Sequence, residues 1–414
     1  MQPTISPGRF SPRLAGTLQY KLLLQLIIGA LVAMSIGYVF RSTIYDFMQQ
    51  DSDAAYFFVT ASTGDYDFSL DESLLVTENQ LPIVAYGTVY SFLSELGLDA
   101  DPAWGILLNT TLVVTSLWIA LRYARCRFGF SNAMLVKLSL LMAFNGVLMM
   151  FAGIHMRDAF LLCTATIAVA VFHPGRGRTS FTRSVAKLLW LLVLMVLSFL
   201  CRKEGFAVPL LIYLISIIAP MDYSARSVKL NLLAVAAVFL VFVVQFDILD
   251  LVSENYRAYK LLSQDESANS SLAYFLLYDL PFPVSTFASG LLLLFIKVPF
   301  WRGGLFDSYS FYVSVAALQM IFVAPVFLGI LGYALVNKVD YRFRYLLLIV
   351  LSMLFVTAIT SNQVRHLAIV YPVLMILFVC QRDIIPAARL KDYRRFSYAL
   401  SGLVVLVNIA ASAR

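Results

Sequence analysis

A chain of 414 residues that is 60% hydrophobic and 13% charged lies well below the roughly 25% charged residues of soluble domains, so a water-soluble enzyme is excluded. The net charge of +7 would suggest nucleic acid in a soluble protein. Here the excess bases sit in short loops between apolar runs, where anionic lipid headgroups are the natural partner, and a nucleic-acid function is set aside.

The first apolar run, Leu22 to Phe40, is long enough to span a bilayer core of about 30 Å and ends without a small-residue cleavage site, so it is expected to be an uncleaved first helix. Its cationic flank, Arg9, Arg13 and Lys21, places the N-terminus on the cytoplasmic side. Further spans are expected at roughly 104–121, 134–154, 158–173, 188–201, 205–220, 230–249, 311–336, 345–360, 367–381 and 397–412. With the first run this predicts an all-α, polytopic transmembrane bundle of about eleven helices, residues 1–414 forming one integral membrane domain with the C-terminus outside. The segment 286–300 has a short apolar core and holds Lys297 and Pro299; it reads as interfacial or re-entrant.

Sorting the ionisable residues by this topology gives a strong asymmetry. The inward segments hold 21 of the 31 Lys and Arg but only four of the 24 acids, Asp222, Asp340, Asp383 and Asp392. The working face is therefore expected outside, at the plasma (bacterial inner) membrane. Two outward loops are long, 41–103 and 250–310, and long loops in compact proteins are usually functional. The first contains Pro82 to Leu96 with apolar residues at helical spacing, a helix expected to lie at the interface with Tyr86, Tyr90 and Phe92 facing the headgroups. The four cysteines, Cys126, Cys163, Cys201 and Cys380, are too scattered for a disulfide framework or metal cluster.

The first chemical candidate is Asp51-Ser52-Asp53-Ala54-Ala55-Tyr56. Two carboxylates two residues apart share a hard cation well, or one serves as a general base toward a sugar hydroxyl. The competing explanation is that either Asp caps a short helix over 54–62. The second candidate is His155-Met156-Arg157-Asp158, in a tight outer turn. Arg202-Lys203-Glu204 and Arg365-His366 occupy comparable outer positions. Cations there run against the topological bias, and guanidinium forks suit a phosphate or diphosphate; headgroup anchoring or an Arg157–Asp158 pair ending one helix and capping the next is the simpler alternative. The histidines His155, His173 and His366 supply no third ligand for zinc. No P-loop, dinucleotide fingerprint or Ser-His-Asp spacing occurs. No carboxylate lies at mid-membrane among Asn109, Asn145, Gln245 and Gln319, so ion-coupled transport lacks support.

The first helix entering from inside, the acidic motif Asp51 to Tyr56 soon after it, the interfacial helix and the basic outer turns together resemble the GT-C superfamily of polytopic glycosyltransferases. The resemblance implies transfer of a sugar from a polyprenyl-phosphate carrier to a glycan or lipid acceptor at the extracytoplasmic face. It implies Asp51 or Asp53 as base or as ligand of a divalent cation (Mg or Mn), with Arg157, Arg202 and Arg365 on the carrier phosphate and Tyr56, Asp158, Lys203 and His366 beside them. The match covers the layout of most of the chain, but its motif is about six residues and there is no second D-x-D. Arg157-Asp158 and Arg365 to Pro372 also look like elements of bacterial O-antigen polymerases, which use outer-loop Arg. A flippase or envelope-complex component gripping a lipid-linked glycan is the non-enzymatic alternative.

Overall fold

The structure, a computed structural model, describes residues 16–39, 53–63, 80–175, 181–220, 294–295, 308–360, 367 and 369–412. All regular structure among them is helical, with no strand. Up to residue 220 lie α1 (Gly16–Val39), α2 (Asp53–Ser62), α3 (Gln80–Glu95), α4 (Pro102–Phe128), α5 (Asn132–Ala143), α6 (Gly146–Gly153), α7 (Asp158–Val171), α8 (Phe181–Cys201), a 3-10 turn (Lys203–Phe206) and α9 (Ala207–Ile218). After it come α10 (Ser308–Val336), α11 (Tyr341–Thr360), α12 (Tyr371–Val379), α13 (Gln381–Ile384) and α14 (Ala387–Ser412).

Every expected span except 230–249 coincides with a helix; that one, like 286–300, lies outside the described residues apart from 294–295. Among the described residues, four helices are long and apolar enough to traverse a membrane: α1, α4, the stretch Ser184–Cys201 of α8, and the stretch Phe311–Val336 of α10. Counting α5 and α6 as one span bent by 60° makes five. Helices α7 and α9 are apolar but shorter, and α12 has nine residues, seven of them buried.

Local chemistry sets the helix ends. Asp101 caps α4, its carboxylate accepting from the Ala103 N–H at 2.8 Å, with Pro102 in the first turn; at the other end Gly129, at φ 67°, closes the helix onto Arg125. Only a residue tolerant of the left-handed region suits that position. Asn145 breaks the α5–α6 rod. Its Oδ1 accepts from the Leu148 N–H at 3.1 Å and its Nδ2 donates to Gln319 Oε1 at 2.6 Å. Gln319 in turn donates to the Leu141 carbonyl at 2.7 Å. The bend is thus satisfied inside the protein, as irregular backbone at membrane depth must be.

Small residues let the helices approach. Along α1, Gly29, Ala33 and Gly37 recur every four residues, and a Cβ on Gly29 would meet the Ala143 carbonyl at 2.6 Å, one on Gly37 the Gly153 carbonyl at 2.1 Å. This is the small-xxx-small packing by which helices associate in lipid, where burial of apolar surface supplies no drive. Pro325 lies inside α10 and cannot donate to Ile321 one turn back. Ser401 of α14 fills that role, its hydroxyl 2.8 Å from the Ile321 carbonyl, and Ser397 lies 3.2 Å from the Pro325 carbonyl. The helix break is repaired by its neighbour.

The connectivity gives the bundle two ends. One gathers the last turns of α1, α6 and α8 with the first turns of α4, α7 and α10. The other gathers the last turns of α4, α7 and α10 with the first turns of α8 and α11. Tyr312 ties α10 to α1 by donating to the Ala33 carbonyl at 3.0 Å. Apolar side chains stay exposed along α1, α8 and α14, among them Leu24, Leu31, Leu189, Leu192, Leu403 and Leu406, as surfaces facing lipid do.

Candidate functional site

The first-loop helices α2 and α3 fold onto the end of the bundle where α7 starts and α8 finishes. Phe57 and Ala61 of α2 pack with Ile83, Tyr86, Tyr90 and Leu93 of α3, with Phe160 and Leu161 of α7, and with Cys201. Ala54 belongs to the main core instead. The start of α2 is thereby anchored to the bundle.

At the centre of this end is His155, fully buried. Its Nε2 lies 2.7 Å from the Tyr90 hydroxyl, and Tyr86 and Phe58 pack against the ring at 4.8 and 5.9 Å between centroids. With the Tyr90 hydroxyl donating to Nε2, the neutral ring is assigned its proton on Nδ1. Burial keeps the imidazole uncharged, its pKa pulled from 6.5 down to about 3. Gly105 makes room for it, because a Cβ there would come within 1.8 Å of Nε2.

The neighbouring turn is held by amide chemistry. Tyr86 donates to Asn109 Oδ1 at 2.7 Å, and Asn109 Nδ2 donates to the Ile154 carbonyl at 2.7 Å, with the Met156 carbonyl at 3.3 Å. Thr110 donates to the Ala152 carbonyl at 2.7 Å. Three side chains of α3 and α4 thus fix residues 152–156 by their backbone carbonyls, and this presents Arg157 and Asp158. Asp158 is 6% exposed and sits in the first turn of α7, where the helix dipole favours a carboxylate. Its charge is felt by Tyr86 and Cys201.

The next turn adds a second charged pair. Arg202 Nε donates to Glu204 at 2.9 Å, the Arg202 side chain being 15% exposed. Gly205 permits the chain to close over α8, since a Cβ would lie 2.4 Å from the Ser198 carbonyl. Asp53 is the first residue of α2, and Tyr56 is half exposed, its ring edge-on to Phe57 at 5.6 Å. Lys203 opens the 3-10 turn.

The structure therefore brings the helix begun by Asp53, the Arg157-Asp158 turn and the Arg202-Lys203-Glu204 turn to one end of the bundle. Asp51, Arg365 and His366 lie outside the described residues, and of Asp53 and Lys203 only the backbone is described. Among the described residues no group of three or more His, Cys, Asp or Glu is placed to hold a metal ion.

Two expectations change. Tyr86 and Tyr90 do not face the headgroups but are buried against the bundle, whereas Phe92 is exposed as expected. The pair faces inward because each hydroxyl finds a partner there. His155, in the tight outer turn, is a core residue for the same reason. The polar bracket Tyr86–Asn109 and Tyr90–His155 was missed in the sequence; its one signal was a pair of tyrosines four residues apart in a helix that also carries Ile83 and Leu93 on the same face. Comparison with protein-family models, with curated proteins and with solved structures finds no match for this chain.

Proposed function

We propose that this chain is a membrane glycosyltransferase that moves a sugar from a polyprenyl-phosphate carrier to an acceptor at the extracytoplasmic face. The observation that carries the reading is the meeting at one bundle end of the Asp53-initiated helix with the Arg157-Asp158 and Arg202-Glu204 turns. In the proposed reaction Asp51 or Asp53 takes the proton of the acceptor hydroxyl as that oxygen bonds to the sugar's anomeric carbon. The bond from that carbon to the carrier phosphate breaks, and the phosphate leaves with the electron pair. Arg157, Arg202 and Arg365 stabilise its charge, and the donor arrives pre-activated, so no soluble nucleotide is required. A divalent cation held by Asp51 and Asp53 would add electrophilic assistance at the same phosphate.

One observation favours a second reading, a polysaccharide polymerase: Arg157, Asp158 and the Arg202–Glu204 pair are gathered at this end of the bundle. The two readings separate on one pair of variants. In a transfer assay with polyprenyl-phosphate sugar, Asp51→Asn and Asp53→Asn abolish turnover while carrier binding persists if the first-loop carboxylates act as base. Retained turnover in both, with loss in Arg157→Gln, transfers the chemistry to the arginine turns. A mass spectrum of lipid co-purified with the protein that contains no polyprenyl phosphate would count against both readings and leave an envelope-complex role.

A further inference from the structure

The proposed site draws on two distant stretches of chain, helix α2 and the turn 154–158, and helix α3 packs against both. Tyr86 and Tyr90 of α3 are buried and, four residues apart, share one face of the helix. Each meets α2 with its ring. Tyr86 lies 6.2 Å from Phe57 and Tyr90 lies 5.7 Å from Phe58, centroid to centroid.

Each meets the turn with its hydroxyl. Tyr90 pairs with His155 Nε2 at 2.7 Å. Tyr86 donates to Asn109 Oδ1 at 2.7 Å and lies 3.4 Å from the Met156 carbonyl. Asn109 carries the link on, its Nδ2 donating to the Ile154 carbonyl at 2.7 Å. Phe58 adds a direct contact between the two stretches, 5.9 Å from the His155 ring.

Ring and hydroxyl of one side chain thus hold different parts of the site. A phenylalanine at 86 or 90 would present the same ring to α2, so what the hydroxyls add is the placement of the turn, by bonds that fix both distance and direction. Arg157 and Asp158 follow directly on the residues so held. Asp53 begins α2 on the other side. Where a base acts on the acceptor while cations receive the departing phosphate in the same step, the register between those groups governs the rate.

We infer that Tyr86 and Tyr90 are positioning residues, a clasp that holds the Arg157-Asp158 turn in register with α2. Its catalytic consequence rests on the glycosyltransferase reading; the clasp itself does not.

Tyr86→Phe and Tyr90→Phe delete the hydroxyl and keep the ring, and two measurements on full-length protein in detergent test them. The first is hydrogen–deuterium exchange. The Ala159 and Phe160 amides bond to the Met156 and Arg157 carbonyls at 3.3 and 3.0 Å, so their exchange reports the turn. It is expected to quicken in either variant while amides 57–61 of α2 keep wild-type rates. The second is the transfer assay with polyprenyl-phosphate sugar. There kcat and kcat/KM per folded molecule should fall together by about tenfold or more, with the donor KM unchanged, as misplaced reacting groups require. Tyr123→Phe, which removes the corresponding hydroxyl from His173 at the other end, should leave kcat at its wild-type value.

Wild-type exchange at 159 and 160 in both variants would overturn the clasp whatever the activity. Faster exchange with wild-type kcat, or with a raised donor KM alone, would overturn the positioning role and leave a brace of the fold. A wild type inactive on every polyprenyl-phosphate sugar would instead sink the glycosyltransferase reading, and exchange alone would then decide whether the clasp exists.

Discussion

Each end of the bundle buries one histidine against a tyrosine hydroxyl at 2.7 Å, and each imidazole is held uncharged, down to about 3. Around these matching centres the two ends diverge. The His155 end mixes signs, with Asp53, Arg157, Asp158 and the Arg202–Glu204 pair, and it is roofed by α2 and α3. The His173 end carries Arg127, Lys187 and Arg342 with Asp340 and Asp383. A buried neutral histidine therefore says nothing by itself about function; in both places it fastens a helix end. What differs is the set of charges gathered around it, which at the His155 end lies where chemistry on a sugar phosphate is proposed.

The comparison breaks most sharply at the glycines. Gly105→Ala would drive a Cβ into His155, whereas Gly175 beside the other histidine has nothing within 4 Å of its Cβ position. The expected outcome is loss of monodisperse protein for Gly105→Ala and wild-type behaviour for Gly175→Ala, read by size-exclusion chromatography in detergent.

The next largest effect is of pH. With both imidazoles lowered from 6.5 to about 3, the folded protein binds fewer protons than the unfolded chain between those values. Stability is therefore fully present above pH 6.5 and is lost as pH falls toward 3. Thermal unfolding in detergent should show this slope, and His155→Gln or His173→Gln should each reduce it; a flat profile from pH 7 to pH 4 would mean that neither ring is held as described.

Smaller effects come from the tyrosines. Tyr90→Phe leaves His155 Nε2 without its donor and should cost about 1–3 kcal/mol, the usual penalty for a stranded buried group. Tyr123→Phe should cost less, because His173 is 5% exposed whereas His155 is fully buried. The smallest is Glu204→Gln. It frees Arg202 from a partly exposed pair, so stability should change by less than about 1 kcal/mol, while affinity for the donor phosphate rises; unchanged affinity would mean Arg202 serves only to close its turn.

How much of this was legible in the sequence differs between the same regions. Helical segments were readable because apolar runs act locally, though the span expected at 104–121 extends to Pro102–Phe128. The break at Asn145 was not, because it depends on Gln319, far along the chain, to satisfy the freed polar groups. The charged turns 157–158 and 202–204 were readable as cations against the topological bias, but not the bracket beneath them. Tyr86, Tyr90 and Asn109 look like interface and helix residues until the fold sets them against 152–156. Of the eleven expected crossings, the described residues show four to five helices long and apolar enough to span a membrane, α7 and α9 being apolar but shorter.

The most direct test of the division between the ends is a transfer assay in proteoliposomes with polyprenyl-phosphate sugar and a set of single variants, one group at each end. The expected result is that Asp53→Asn lowers turnover by about 10²-fold or more, the usual loss of a general base, while Lys187→Gln leaves it unchanged at saturating lipid. Full turnover in both Asp51→Asn and Asp53→Asn, together with loss of turnover in Lys187→Gln, would contradict the assignment of chemistry to the His155 end.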